Sequence, residues 1–141
     1  MADDYEKRVK ENEKANEEYL RIFREDLTAS GLGEKTIRNH IENVDLLLND
    51  YLPGYEDEFS MQDGMNCMYG FFSFFIRKCL WSTPATVKKQ GASLKKFYKC
   101  MMEHGFIEKV DYNEFASNLK ELLPEFAEEC EDYNGGMDYY F

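Results

Sequence analysis

No aspartate or glutamate occurs between Gly64 and Met102, although the 141-residue chain carries 28 of them and a formal charge of −11. The same stretch holds seven of the seventeen basic residues: Arg77, Lys78, Lys88, Lys89, Lys95, Lys96 and Lys99. An acidic protein thus keeps much of its positive charge in one place. Other absences exclude whole classes of function. The four cysteines (Cys67, Cys79, Cys100, Cys130) form no CxxC pair, and only His40 and His104 could join them as ligands. That pattern predicts free thiols in a reducing cytoplasm, with no metal site and no cofactor. The longest apolar run, Phe71 to Ile76, is interrupted by Ser73 and ended by Arg77-Lys78, far too short to span a bilayer. The polar, acidic N-terminus has no signal-peptide pattern, so a soluble cytoplasmic protein without a membrane partner is expected. There is no Gly-rich phosphate loop, no HExxH and no Ser/His/Asp set, and Glu128-Glu129 reads as a solvated helix end. The chain is read as a non-enzyme with no catalytic residues.

What is present is apolar periodicity. A chain of this length buries about two-thirds of its unfolded surface, and eleven Phe and ten Tyr argue for a folded core. The pattern predicts an all-α protein, a compact bundle of four to five helices, with no strand and no repeat. Three regions are expected: a charged helical extension over 1–18, a helical domain over 19–130 and a flexible acidic tail over 131–141. Residues Asp3 to Ala29 read as one helix whose second half carries Tyr19, Leu20, Phe23 and Leu27 toward a core. Its first half is mostly Glu, Lys and Asn, with a partial heptad seam (Tyr5, Val9, Asn12, Asn16, Tyr19, Phe23) for a partner helix or for solvent. Gly31 and Gly33 stop it. A second helix is predicted from Glu34 to Tyr51, ended by Pro53-Gly54. A third, Met65 to Trp81, is apolar nearly all round and is placed at the bundle centre, with Gly70 admitting a close neighbour. Ser82-Thr83-Pro84 signals the start of a fourth helix that Gly105 closes. The last runs from Asp111 to about Tyr133, with a kink or restart at Pro124 and a free tail carrying Glu131, Asp132 and Asp138. Tyr139 and Tyr140 lack an Arg/His set and are not read as nucleophiles.

On the fourth helix, Lys88, Lys89, Lys95, Lys96 and Lys99 share an arc of roughly 120° at about 100° per residue. Val87, Leu94, Phe97, Tyr98 and Met101 cover the other side. A row of cations without acidic neighbours suits phosphate contact; a solvated face, or one neutralised by the protein's own acidic segments, is the plainer reading.

Two stretches carry a resemblance. Gly31-Leu32-Gly33-Glu34-Lys35-Thr36-Ile37-Arg38-Asn39-His40-Ile41 resembles the opening of a core-binding domain. Ser82 to Lys89, with Leu94-Lys95-Lys96-Phe97-Tyr98 and the trailing Met101 to Ile107, resembles that domain's last DNA-facing helix. The domain is the SAM-like N-terminal half of tyrosine recombinases, the phage integrases, and the resemblance covers about Tyr19 to Leu123. It implies a clamp on double-stranded DNA made by two helices, with Lys35, Arg38, Asn39, Thr86, Lys88, Lys89, Lys95, Lys96 and Lys99 as DNA-binding residues. The lysines would hold phosphates, and Arg38 and Asn39 would read base edges. Gly33 stands where the family has Ser, and the catalytic half has no counterpart in these residues. The expected function is therefore a stand-alone DNA-binding module, beside a recombinase or another protein partner. The alternative is a protein-interaction module on the same fold that has lost DNA binding, of undetermined oligomeric state.

Overall fold

The computed structural model describes residues 2–79 and 82–140, with the side chains of 4–79 and 82–134. Leu80 and Trp81, expected to end the third helix, and the side chains of Asp138, Tyr139 and Tyr140 lie outside what is described. Among the described residues there are five helical rods and no strand. These are α1 (Ala2–Ala29), α2 (Glu34–Asp45) continuing through a π-helical turn (Leu46–Tyr51) into α3 (Leu52–Tyr55), α4 (Met68–Lys78), α5 (Pro84–Glu103) and α6 (Lys109–Tyr140). A 3₁₀ turn, Gln62–Asn66, leads into α4. The all-α bundle expected from periodicity is what the chain forms.

The hub of this bundle is α5, which packs against α1, α2, α4 and α6. Val87, Gln90, Gly91, Ser93, Leu94, Phe97, Tyr98, Cys100 and Met101 are all buried along it. Tyr98 is fully enclosed and its hydroxyl donates to the Met61 carbonyl at 2.7 Å, which pins the loop before α4 to the hub. Gly91 lets α6 come close to the hub: a Cβ there would meet Leu123 of α6 at 2.6 Å. Such an approach is possible only where the residue has no side chain.

The ends of α5 follow from local chemistry. The Thr83 hydroxyl accepts from the Thr86 amide at 3.1 Å, while the Thr86 hydroxyl accepts from the Thr83 amide at 2.6 Å, and Pro84 follows at the first helical position. This reciprocal pair satisfies two otherwise orphaned donors. Thr83→Ala leaves the Thr86 amide without that acceptor and is expected to cost about 1 kcal/mol, read as a lower urea midpoint. At the other end Gly105 (φ +82°) lets the Phe106 amide reach the Met101 carbonyl at 2.9 Å, and Gly31 (φ +85°) closes α1 in the same way. Left-handed backbone of this kind is easiest for glycine.

Several expectations are corrected. The helix placed at the centre, α4, is one-sided: Phe71, Phe72, Phe75 and Ile76 are buried, but Tyr69, Arg77 and Lys78 are exposed. It also starts later than Met65, because residues 62–66 wind as 3₁₀. Gly70 does admit a neighbour, since a Cβ there would meet Tyr51 Oη at 2.1 Å. Pro53-Gly54 does not end the second rod. The Leu52 amide bonds the Leu47 carbonyl five residues back, and Pro53 falls in the first turn of α3, where its missing N–H is tolerated. Likewise α6 is not restarted at Pro124, and its helical backbone runs from Lys109 to Tyr140, past Tyr133, where the sequence pattern ends it. Lys120, whose carbonyl loses its amide partner to Pro124, is exposed.

The first half of α1 is not a solvated extension. Asn16 is buried and donates to Asn49 of the π-helical turn at 2.9 Å. Val9 packs on the core edge, the Tyr5 hydroxyl donates to the Pro53 carbonyl, and Arg8 donates to the Asp57 carbonyl at 3.0 Å. The Arg8 guanidinium also lies over the buried Phe59 ring, 4.6 Å from its centroid. The heptad-like seam of α1 meets its own chain.

Candidate nucleic-acid interface

Because α5 is buried on three sides, little of it reaches solvent. Between Val87 and Cys100 the exposed positions are Lys88, Lys89, Ala92, Lys95, Lys96 and Lys99, so every one but Ala92 is a lysine. The rest of that helix is locked into the core, and the strip cannot rotate away. Among the described residues none of these five lysines makes an ion pair, whereas Arg8, Arg21, Arg24 and Arg77 each find a glutamate. Lys95 and Lys99, and Lys96 and Lys99, stand one turn apart, and each such like-charge pair costs on the order of 0.2–0.5 kcal/mol.

Two shoulders flank the strip. On one side α2 runs antiparallel to α5: His40 Nδ1 lies 2.8 Å from Ser93 Oγ, Asn43 donates to Ser93 at 3.0 Å, and Gln90 donates to the Asn43 carbonyl at 2.6 Å. Asn39 and Lys35 of α2 are both exposed, and Asn39 lies about 100° round that helix from His40 of the seam. Arg38 is exposed too, but two residues before His40 is about 200° round the helix, so the structure turns it away from α5. Thr86 is engaged in the cap at the start of α5 and serves the helix end rather than the lysine strip. Of the nine residues singled out in the sequence, the five α5 lysines lie on one exposed face of that helix, Lys35 and Asn39 are exposed on the helix packed beside it, and Arg38 and Thr86 lie elsewhere.

On the other side α6 contributes a residue that the sequence pattern missed. Lys88, Ala92 and Lys95 line a shallow cleft of about 350 Å³ with Ala116, Leu119, Lys120, Leu123 and Pro124. Lys120 lies in a chain segment dominated by acids, and only the close packing at Gly91 brings it to the strip. Nothing in its local sequence signals this.

The seam under Lys96 has an electrostatic signature. Burial against Ser93, Asn43 and Phe23 pushes the His40 imidazole below its ordinary value of 6.5, and the Lys96 ammonium pushes it further down. The folded protein thus holds His40 neutral where the unfolded chain protonates it. Stability carried by this ring is complete above the unfolded pKa of 6.5 and falls as pH drops below it. Urea midpoints measured at about pH 7.5 and about pH 5.5 are expected to fall with acidity, and less steeply in His40→Gln.

Among the described residues no helix is long and apolar enough to cross a membrane. No protein-family model, curated protein or solved structure matches the chain.

Proposed function

We propose that this protein binds double-stranded DNA through the outward face of α5, flanked by Lys35 and Asn39 of α2 and Lys120 of α6, and that its role is binding rather than catalysis. The observation that carries the reading is the composition of the solvent-facing strip of the hub helix between Val87 and Cys100: five lysines and one alanine, on a protein whose net charge is −11. A strip held at one orientation by a buried helix suits a regular row of phosphates, because each ammonium that neutralises a phosphate releases a condensed counterion. The likeness of Gly31 to Ile41 and of Ser82 to Tyr98 to the core-binding domain of tyrosine recombinases supports the same reading. With Arg38 turned aside, the contacts are mainly to phosphate, and Asn39 is the polar side chain closest to a base-reading position.

The test is fluorescence anisotropy with a labelled duplex of random sequence at two or more salt concentrations. Affinity should weaken steeply with salt, with a log–log slope of about −0.9 for each phosphate contacted. Affinity that is absent at low salt, or that does not depend on salt, overturns the proposal. Should the protein instead retain a protein partner under those conditions, the alternative of an interaction module takes its place. The contacts of α1 with residues 49–59 occupy the heptad-like seam of that helix within the chain itself.

A further inference from the structure

Away from the lysine strip, at the C-terminal end of α5, three ligand-type side chains converge. Cys100 and His104 are four residues apart, which stacks them on one face of the last turn. Asp26, in the last turn of α1, comes between them: its Oδ2 lies 3.0 Å from Cys100 Sγ and 2.9 Å from His104 Nε2. The three ligand atoms all fall within 4.8 Å of one another. Cys100 is buried, Asp26 half-buried and His104 exposed, so the group forms a pit with one open side.

We propose that Asp26, Cys100 and His104 form a binding site for a zinc-class divalent transition metal ion, with solvent at the fourth position. Zinc takes a thiolate at about 2.3 Å, an imidazole at about 2.0–2.1 Å and a carboxylate oxygen at about 2.0–2.2 Å in a tetrahedron. Donor atoms in such a tetrahedron stand roughly 3.2–3.7 Å apart. The two short distances here need to open by about half an ångström, by a shift of the half-buried Asp26 carboxylate and the exposed imidazole. The donor set also selects the metal. Sulfur and nitrogen favour zinc, cobalt or nickel over magnesium and calcium, which take oxygen. A thiolate and a carboxylate together balance a dication. Coordination exchanges the Cys100 S–H for a sulfur–metal bond, and the proton leaves to solvent.

The consequence is a clamp. Asp26 belongs to α1, and Cys100 and His104 to α5, so an ion here ties the first helix to the end of the hub that carries the lysines. Binding to the folded form alone raises its stability by mass action. The site is independent of the DNA-binding reading, since its ligands lie off the lysine strip.

The experiment is titration of the full, reduced protein with Co²⁺ and then Zn²⁺. One equivalent of Co²⁺ should produce thiolate-to-cobalt charge-transfer absorption in the near ultraviolet with the visible bands of a tetrahedral ion, and Zn²⁺ should abolish both. The melting temperature should rise with added Zn²⁺. Cys100→Ser should remove the charge-transfer band, and Asp26→Asn and His104→Gln should each weaken binding at least about tenfold. Cys67→Ser should leave it unchanged. His104 is exposed, so His104→Gln keeps the core intact and is the deciding variant. Absence of the charge-transfer band in the parent protein overturns the site. So does binding unaffected by His104→Gln, or lost on Cys67→Ser.

Discussion

Replacing Lys88, Lys95 and Lys99 together by glutamate is expected to weaken duplex affinity at low salt by at least about a hundredfold. The slope of log affinity against log salt should fall by about three, one unit for each ammonium taken away from a phosphate. The size follows from their position. All three are exposed on a helix whose remaining faces are buried, so the substitutions remove charge where phosphates would run without disturbing the core. Fold stability should change little, because the 95–99 pair stays like-charged while the 96–99 pair, one turn apart, becomes opposite in charge. That separates a binding loss from an unfolding loss. The control is charge reversal at Lys7, Lys10 and Lys14, three exposed lysines of α1, which changes net charge equally on another helix. If the two triple variants weaken binding alike, general electrostatics rather than the α5 strip is responsible. If neither changes affinity, the strip does not bind DNA. Lys120→Glu extends the test to α6 and should weaken affinity in the same direction by a smaller amount, since it sits at the edge of the strip.

The parts of this molecule legible in sequence are those set by a few neighbouring residues. Thr83-Pro84 marks the start of α5 because the hydroxyl cap and the fixed proline dihedral act within one turn. Gly31 and Gly105 mark helix ends for the same local reason. The lysine strip was legible because its partition between core and solvent is a property of one helix. What was not legible depends on which helix lies next to which. Asn12 and Asn16 made the α1 seam look weak, yet Asn16 is buried because Asn49, 33 residues away, accepts its amide. Arg38 and Asn39 are adjacent in the chain but about 100° apart on α2, and which of them faces toward α5 depends on the side at which that helix packs, here marked by His40 and Ser93. The proposed metal site shows both limits. Cys100 and His104 already have helical ligand spacing, but the third ligand, Asp26, lies 74 residues from Cys100 and carries no local mark. Neither Pro53 nor Pro124 ends its rod: Pro53 sits in the first turn of α3, where its missing N–H is tolerated, and α6 continues through Pro124. There the packed neighbours hold the rod: Leu52 is fully buried beside Pro53, and Leu123 sits against Gly91 beside Pro124.

Phe72→Ala is expected to destabilise the protein by about 3–5 kcal/mol, whereas Tyr69→Ala, one turn earlier on the same helix, should cost under about 1 kcal/mol. Sequence pattern treats the two alike, as aromatics of an apolar helix. The structure separates them. Phe72 is fully enclosed and stacks on Phe126 of α6 with ring centroids 4.9 Å apart at 15°, while Phe71 meets it edge-on at 5.3 Å. Tyr69 also touches Phe126, at 5.4 Å, but from outside: 65% of it is exposed. Removing Phe72 loses the transfer energy of a buried ring and leaves a cavity between α4 and α6 that the neighbouring phenylalanines cannot fill without leaving their rotamers. Removing Tyr69 uncovers one edge of Phe126 and leaves no void. Against a total stability of roughly 5–15 kcal/mol, the first loss is a large share and the second is within ordinary surface variation. Urea denaturation of both variants measures this, with an unchanged slope showing that the unfolded state is the same. Equal losses at the two positions would mean that α4 lies with another face against α6. Because Leu123 and Lys120 ride on the same α6, a loosened α4–α6 packing in Phe72→Ala should also lower DNA affinity slightly, through the cleft beside Lys88 and Lys95 rather than through any charge.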